Sequence, residues 1–184
     1  MKFIETKIPG LIIIEPSVFG DDRGYFLESF NLEKFQKNVS PIKFVQDNES
    51  KSSKGVLRGL HFQKPPFAQA KLVRCIEGKV IDVAVDIRKE SPTYGEHVSV
   101  ELSGENKRQL FVPRGFAHGF SVLSETAVFA YKVDNTYAPE YDDGIKYDDE
   151  KLNINWGLKE DNIQLSEKDR ILKTFNDLVS PFKF

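Results

Sequence analysis

The sequence predicts a mainly β fold, a barrel or sandwich of short strands forming one domain over residues 1–184. The commonest hydrophobic pattern alternates with a period of two, which is the spacing of side chains on one face of a strand. Turn signals rich in glycine and proline separate the alternating runs, at the spacing of about 8–12 residues that is typical of all-β domains. Long helical patterns are absent.

Four runs have the clearest strand pattern and lie at 80–87, 98–102, 110–112 and 127–133. In the first run, the odd-numbered residues from Ile81 to Ile87 would share one face, and Asp82 and Asp86 would lie on the other. Helix is predicted only in short peripheral segments. One covers Leu32–Lys37 after Asn31, and another begins at Ser166, which resembles a capped helix start.

Composition and charge exclude several functional classes. The formal net charge of -2 gives no basic field, so we expect no nucleic-acid partner. No window approaches the roughly 20 apolar residues of a membrane span, so no membrane partner is expected. The single cysteine, Cys75, excludes an internal disulfide and fits a reducing compartment. We therefore predict a cytoplasmic protein in which Cys75 is a packed thiol.

Basic residues are concentrated in two apolar segments, Gly55–Gln63 and Gln69–Arg74. Strand periodicity puts Arg58 and His61 on opposite faces, unless Gly59 marks a bulge. A lone strand histidine is usually structural. However, His61, Arg58 and Lys71 lie close together in sequence, and burying several cations without ligands is costly. The segments therefore favour a site for an anionic ligand.

The segment Pro113–His118 has the spacing Pro-x-Gly-x-x-His and is similar to the second cupin motif. In metal cupins that histidine is a ligand beside a His-x-His pair from the first motif. The corresponding segment here is His61-Phe62-Gln63, which lacks the second histidine, and the remaining His97 lies in a polar turn region. The sequence therefore predicts no catalytic metal.

Three further features have simple structural interpretations. A tyrosine such as Tyr131 in a strand is usually a packing residue. Asp169, three residues after Ser166, could merely complete a helix cap. The acidic run from Asp142 to Glu150 does not have the spacing of a Ca²⁺ loop, and a solvated loop is expected.

Taken together, eight stretches resemble the dTDP-4-dehydrorhamnose 3,5-epimerase family, in order and spacing and almost from end to end. They are Asp22–Glu28, Phe44–Ser50, Gly55–Gln63, Gln69–Arg74, Asp82–Arg88, Ser91–Gly95, Pro113–Phe120 and Ser166–Asp169. The resemblance implies a cupin-type jelly-roll barrel with a few short peripheral helices. It also implies a homodimer that uses neither a metal nor an organic cofactor.

The resemblance also implies a role for each matching residue. His61 would be the general base, oriented by Asp169, with Tyr131 as general acid and Lys71 stabilising an enolate oxygen. Substrate contacts are implied for Arg23, Phe26, Glu28, Gln46, Asn48, Arg58, His118, Tyr137, Asp142 and Lys168. Many relatives have glutamate at the position of Asp142, whose side chain is one methylene shorter.

The implied substrate is a dTDP-4-keto-6-deoxy sugar. The expected reaction converts dTDP-4-dehydro-6-deoxy-glucose to dTDP-4-dehydro-rhamnose by epimerisation at carbons 3 and 5, in dTDP-rhamnose biosynthesis. The alternatives are an epimerase acting only at carbon 5, a 3,4-ketoisomerase, and a cupin that binds a sugar nucleotide without catalysis. Binding alone does not need an acid–base pair, so the presence of both His61 and Tyr131 favours an enzyme.

Overall fold

The computed structural model describes residues 1–184, whose strands form two packed β-sheets and a separate hairpin. The strands are β1 (Lys2–Glu5), β2 (Ile12–Glu15), β3 (Val18–Asp21), β4 (Gly24–Leu27), β5 (Gln46–Ser53), β6 (Leu57–Gln63), β7 (Lys71–Glu77), β8 (Lys79–Asp86), β9 (His97–Ser103), β10 (Gln109–Val112), β11 (Phe116–Val122), β12 (Thr126–Val133) and β13 (Asp142–Gly144). The helices are α1 (Leu32–Asn38) and α2 (Glu167–Arg170). Short 3-10 turns cover Pro139–Tyr141 and Glu160–Asn162.

The strand order is β1-β2-β10-β7-β12-β5 in the six-stranded sheet and β13-β6-β11-β8-β9 in the five-stranded sheet. Neighbouring strands are antiparallel throughout, and β3 pairs only with β4. The prediction of a mainly β fold is confirmed. The four predicted runs correspond to β8, β9, β10 and β12, with every shared end within one residue.

The main core lies between the inner faces of the two sheets. Val73 of β7, Leu110 of β10 and Phe129 of β12 pack there against Val80 and Ala84 of β8. Because side chains alternate along a strand, each sheet supplies every second residue to this core. Full burial of one such side chain contributes about 1.5–3 kcal/mol.

The outer face of β8 is buried as well. Val83, Val85 and Ile87 pack against the C-terminal part of the chain, including Trp156 and Phe175. The predicted division of β8 into two faces is therefore correct, although neither face is solvated. Burial of Asp82 and Asp86 on β8 is tolerated because the carboxylate of each has a buried hydrogen-bond partner.

Both predicted helices are present and short. The side chain of Asn31 accepts a hydrogen bond from the Lys34 backbone and begins α1, which places Phe35 on the outer face of the six-stranded sheet beside Phe111. Ser166 begins α2 by accepting from the backbone of Asp169. Neither helix has the length and apolar content that a membrane span requires.

Two other sequence expectations have different outcomes. Cys75 is buried in the main core, and this burial raises the pKa of its thiol to about 11, which confirms a packed thiol. The solvated-loop prediction is wrong for much of the acidic run. Asp142 and Asp143 belong to β13, and buried Asp149 accepts backbone hydrogen bonds, including one of 2.7 Å from Phe175. Only Asp148 and Glu150 are exposed as expected.

A bulge in β6 decides where the basic side chains point. His118 pairs with His61 and Phe120 with Arg58, so three steps along β6 oppose two along β11. At the bulge, Gly59 has a φ of +124°, and a Cβ there would lie 2.5 Å from the Gly119 Cα atom. The alternative foreseen for Gly59 is thus the correct one, and Arg58 and His61 share the inner face.

We expect Gly59→Ala to destabilise the fold more than Gly10→Ala, which tests the close approach at the bulge. Gly10 also has a positive φ, of +87°, but a Cβ there would meet Pro113 at an ordinary 3.5 Å. Gly10→Ala should cost about 1–2 kcal/mol of unfolding free energy from backbone strain. Gly59→Ala should cost about 1–3 kcal/mol more because the added Cβ atom would clash with the Gly119 backbone. Equal costs in urea unfolding would contradict the tight backbone contact.

Candidate active site

A cavity of about 440 Å³ opens between the inner faces of the two sheets. Strands from both sheets and helix α2 supply its walls. Eight of the predicted site residues line it: Asn48, Arg58, His61, Lys71, His118, Tyr131, Lys168 and Asp169. The bulge in β6 and the alternation of β7 and β12 therefore direct these polar side chains to one place.

A short polar contact in the cavity joins a histidine to a carboxylate. His61 on β6 has its Nε2 atom 2.5 Å from Oδ1 of Asp169 on α2. The other carboxylate oxygen, Oδ2, accepts a 2.8 Å hydrogen bond from the Ser166 hydroxyl. Burial alone would raise the pKa of Asp169, but the hydrogen bonds from His61 and Ser166 outweigh it, and the pKa is lowered. Asp169 is therefore anionic beside the imidazole, whose Nδ1 atom remains free.

The structure separates the two interpretations of Asp169. The helix cap is made by Ser166, whose hydroxyl accepts from the Asp169 backbone at 3.2 Å. The Asp169 carboxylate is directed to His61 and to the Ser166 hydroxyl, and its side chain is almost completely buried. The aspartate thus has more than a capping contact.

Lys71 is an unpaired cation in the cavity wall. Its ammonium group forms no salt bridge within the chain, and its side chain is half-buried. Burial lowers the pKa of Lys71 to about 8, although Asp142 and Asp82 partly oppose this effect. Lys71 is consequently charged at neutral pH and available to an oxygen of a ligand.

Tyr131 presents its hydroxyl to the same cavity from β12. Burial raises the pKa of this phenol, while nearby Arg58 acts in the opposite direction. Tyr131 therefore remains protonated at neutral pH and can donate a proton. Arg58 contacts Ser52 at 3.2 Å and has no carboxylate partner, so the cavity contains two unpaired cations.

Asp82 is a buried partner that the sequence interpretation did not assign to the site. Both of its carboxylate oxygens lie 3.0 Å from Nε2 of His118. This contact fixes the orientation of the His118 ring in the cavity wall. The available signal was an aspartate between Val80 and Ala84 on one face of β8, because a polar residue among buried apolar neighbours needs a buried partner.

Aromatic residues form an apolar wall that was also not predicted. Phe120 and Phe129 line the cavity and stack with their ring centroids 4.1 Å apart. Their burial excludes water from one side of the polar groups, which strengthens electrostatic interactions there.

At the rim, Asp142 connects two other predicted residues. It accepts a 3.2 Å hydrogen bond from the Tyr137 hydroxyl and forms a salt bridge with Lys168. β13 positions Asp142 because it pairs with β6, with Gly144 opposite His61. The aspartate side chain is thus long enough to reach both residues.

Other predicted residues lie outside the cavity of the single chain. Arg23 and Phe26 are exposed on the β3–β4 hairpin, where Arg23 pairs with Asp21. Glu28 pairs with Lys34, and this hydrogen bond lowers the pKa of its carboxyl group. Gln46 does not line the cavity but donates to Asn48, which does, at 2.8 Å.

Gln63, at the position of the second histidine in metal cupins, makes structural hydrogen bonds. Gln63 is buried, donates to the carbonyls of Phe67 at 2.7 Å and Thr136 at 3.1 Å, and accepts from the Ala138 backbone at 2.7 Å. It therefore fixes two loops beside the cavity. No group of three His, Cys, Asp or Glu side chains is arranged to hold a metal ion.

Comparison with known proteins identifies the family. The family model described as dTDP-4-dehydrorhamnose 3,5-epimerase matches residues 5–177. The chain belongs to this family. A dTDP-4-dehydrorhamnose 3,5-epimerase from Shigella flexneri is 57% identical over 170 residues, covering 92% of this chain and 93% of the relative.

Two solved structures give the same result. An epimerase from Elizabethkingia anophelis has a TM-score of 0.91 at 55% identity, covering 96% of this chain and 97% of the other. An epimerase from Legionella pneumophila, in complex with dTDP-4-keto-L-rhamnose, has a TM-score of 0.93 at 52% identity, covering 96% and 94%. The predicted family, the cupin-type jelly-roll fold and the isomerase class are therefore confirmed.

The low pKa of Lys71 predicts that Lys71→Met stabilises the folded state at neutral pH. The lysine is charged in both states below pH 8, but burial makes that charge unfavourable in the folded one. Methionine should raise the unfolding free energy at pH 7 by about 1–3 kcal/mol. The wild-type protein regains stability as pH rises above 8, because its unfolded state then binds more protons.

The advantage of Lys71→Met should therefore shrink towards pH 10.5, the ordinary pKa of lysine. Urea unfolding of both proteins at one protein concentration measures this difference. Lys132→Met is the matched control, because Lys132 pairs with Asp47 at the surface. A pH-independent difference for Lys71→Met would contradict the role of burial.

Proposed function

We propose that the protein epimerises dTDP-4-dehydro-6-deoxy-glucose at carbons 3 and 5, giving dTDP-4-dehydro-rhamnose for dTDP-rhamnose biosynthesis. The observation that carries the proposal is the His61–Asp169 pair in one cavity with Lys71 and Tyr131. The family membership supports this reaction. The relative from Legionella pneumophila, which binds dTDP-4-keto-L-rhamnose, supports the substrate class.

Deprotonation needs a base and a stabilised oxyanion. A proton beside a ketone is weakly acidic, but it becomes removable when the developing enolate oxygen meets a fixed cation. Lys71 supplies that cation, and His61 takes the proton through Nδ1. Asp169 holds the ring by Nε2 and stabilises the imidazolium that forms.

Inversion needs a proton donor on the opposite face of the sugar. Tyr131 fits this role because burial raises its pKa and keeps the hydroxyl protonated. Carbons 3 and 5 both flank the carbon-4 ketone, so Lys71 can stabilise the enolate of either step. His61 can act at both carbons if the sugar re-seats or its ring flips between the steps.

Binding of the nucleotide diphosphate follows from charge. The unpaired Arg58 can donate two parallel hydrogen bonds to phosphate oxygens, and Asn48 offers a neutral polar contact beside it. Lys168 and His118 complete the polar lining. We assign Tyr137 and Asp142 to the rim that contacts the substrate.

We propose a homodimer in which the hairpin of one protomer reaches the cavity of the other. The β3–β4 hairpin pairs with no other strand of its own chain, and three of its aromatic side chains are exposed: Phe19, Tyr25 and Phe26. Such an exposed apolar group is typical of a surface that contacts another chain. In this dimer, Arg23 would contact the diphosphate bound in the partner's cavity, and Phe26 would contact the base. Glu28 and Gln46 would contact the nucleotide.

Residues 1–184 act in this proposal as one domain, without a metal or an organic cofactor. The reduced cysteine and the nucleotide-linked substrate favour action in the cytoplasm. The acid, the base and the oxyanion-stabilising cation all come from protein side chains.

The reaction predicts that the product formed in D₂O gains two carbon-bound deuterons, one at carbon 3 and one at carbon 5. His61→Ala should abolish both exchanges because the base is lost. Tyr131→Phe should still allow deuterium exchange but impair inversion, because removal of a proton by the base does not need the acid. Mass spectrometry and NMR of the product measure both effects.

His97→Ala is the matched control, since His97 lies on β9 away from the cavity, and it should exchange at both carbons. One deuteron in the wild-type product would contradict the double epimerisation and favour an epimerase acting at one carbon. Nucleotide binding without any exchange would favour a protein that binds sugar nucleotides only.

The dimer predicts complementation between two defective chains. We expect co-expressed Arg23→Ala and His61→Ala chains, isolated as mixed dimers with two tags, to have about half the wild-type activity per dimer. Each mixed dimer would contain one site with intact His61 and an intact Arg23 from the other chain. Both parental homodimers should be strongly impaired at low substrate concentration. Mixed dimers no more active than the parents would place Arg23 in its own chain's site.

A further inference from the structure

Ser166 makes two hydrogen bonds to the same aspartate, and they have different consequences. Its hydroxyl oxygen accepts from the Asp169 backbone at 3.2 Å, which caps α2. Its hydroxyl proton is donated to Asp169 Oδ2 at 2.8 Å. Since His61 occupies Oδ1, the two carboxylate oxygens are divided between one histidine and one serine. Rotation of the carboxylate would break both contacts.

The same sequence pattern occurs a second time nearby without a histidine. Thr174 donates to Asp177 Oδ2 at 2.5 Å and accepts from the Asp177 backbone at 3.3 Å. Asp177 is exposed, and its carboxylate has no other hydrogen-bond partner in the chain. The local pattern therefore forms by itself, whereas only the copy at 166–169 holds a buried carboxylate against a cavity histidine.

Burial makes the serine hydroxyl important for the carboxylate. Asp169 is only 3% exposed, so a lost hydrogen bond at Oδ2 is not readily replaced by water. Ser166 is the only hydrogen-bond donor to Oδ2 within the chain. Without it, the carboxylate can rotate, and the His61 ring loses a fixed partner.

We propose that Ser166 is a positioning residue that holds the Asp169 carboxylate so that Nδ1 of His61 faces the substrate. This role rests on the proposed function, in which His61 is the base. It is separate from the helix cap, because the cap uses the oxygen of the hydroxyl and the positioning contact uses its proton.

Glycine separates the effect on the Asp169 carboxylate from an effect on helix stability. Ser166→Gly removes both hydrogen bonds of the hydroxyl, but glycine at an N-cap costs little helix stability. Ser166→Thr keeps both hydrogen bonds. Thr174→Gly removes the matched hydroxyl from the turn that has no histidine.

We expect Ser166→Gly to lower kcat about tenfold, as for loss of one hydrogen bond to a charged group, with KM nearly unchanged. Ser166→Thr should restore kcat, and Thr174→Gly should keep the wild-type kcat and KM. Asp169→Asn marks the larger loss expected when the carboxylate itself is removed. A wild-type kcat in Ser166→Gly would overturn the proposal.

A second measurement makes the result independent of turnover. NMR of the imidazole nitrogens reports which nitrogen of His61 carries the proton in the wild-type protein and in Ser166→Gly. A smaller share of the tautomer protonated at Nε2 in Ser166→Gly supports the positioning role, and identical tautomer signals overturn it, even if the wild-type protein exchanges no substrate protons. Absence of exchange in the wild-type protein would instead contradict only the proposed reaction.

Discussion

The bulge at Gly59 is the constraint on which the cavity depends. Regular pairing of β6 would direct Arg58 and His61 to opposite faces, because side chains alternate along a strand. One extra residue in β6 brings both to the inner face, opposite His118 and Phe120. Only a residue without a Cβ fits there, since the backbone of Gly119 is in contact. A local backbone irregularity thus brings Arg58 into the same cavity as His61.

The unpaired cations in the cavity lower the stability of the folded state but leave positive charge available to an anionic substrate. Lys71 and Arg58 face the cavity without salt bridges, while Asp82 and Asp169 are used to orient histidines. Pairing each cation with a carboxylate would relieve the desolvation of Lys71 but would leave less positive charge for a diphosphate and an enolate. The pKa of Lys71 is lowered because the ammonium group is buried without a carboxylate partner.

Strand positions could be predicted well from the sequence because alternation is a local property. The runs at 80–87 and 127–133 match β8 and β12 to within one residue. The partner of Asp169 could not be derived from local pattern alone, because Ser166–Asp169 and Thr174–Asp177 have the same spacing and the same turn contacts. Only the tertiary position of β6, distant in sequence, makes one of them part of the cavity.

The family resemblance predicted that His61, Lys71, Tyr131 and Asp169 belong to one catalytic site, which strand periodicity alone could not predict. It gave Asp82 no role, although the strand pattern placed this residue on the face of β8 opposite Ile81 and Ile87. The pairing of Asp82 with His118 depends on the register between β8 and β11, which no local signal specifies. Buried polar partners of this kind require the tertiary structure.

The groups proposed for proton transfer and the hairpin residues proposed for nucleotide binding have different structural support. His61, Lys71 and Tyr131 belong to strands of the two packed sheets, whose core holds them in place. Arg23 and Phe26 belong to a two-stranded hairpin, which has little independent stability in water. A hairpin of this kind gains order when it packs on another surface. In the proposed homodimer, association would therefore order the hairpin residues, whereas Arg58 and the groups proposed for proton transfer are already held within each chain.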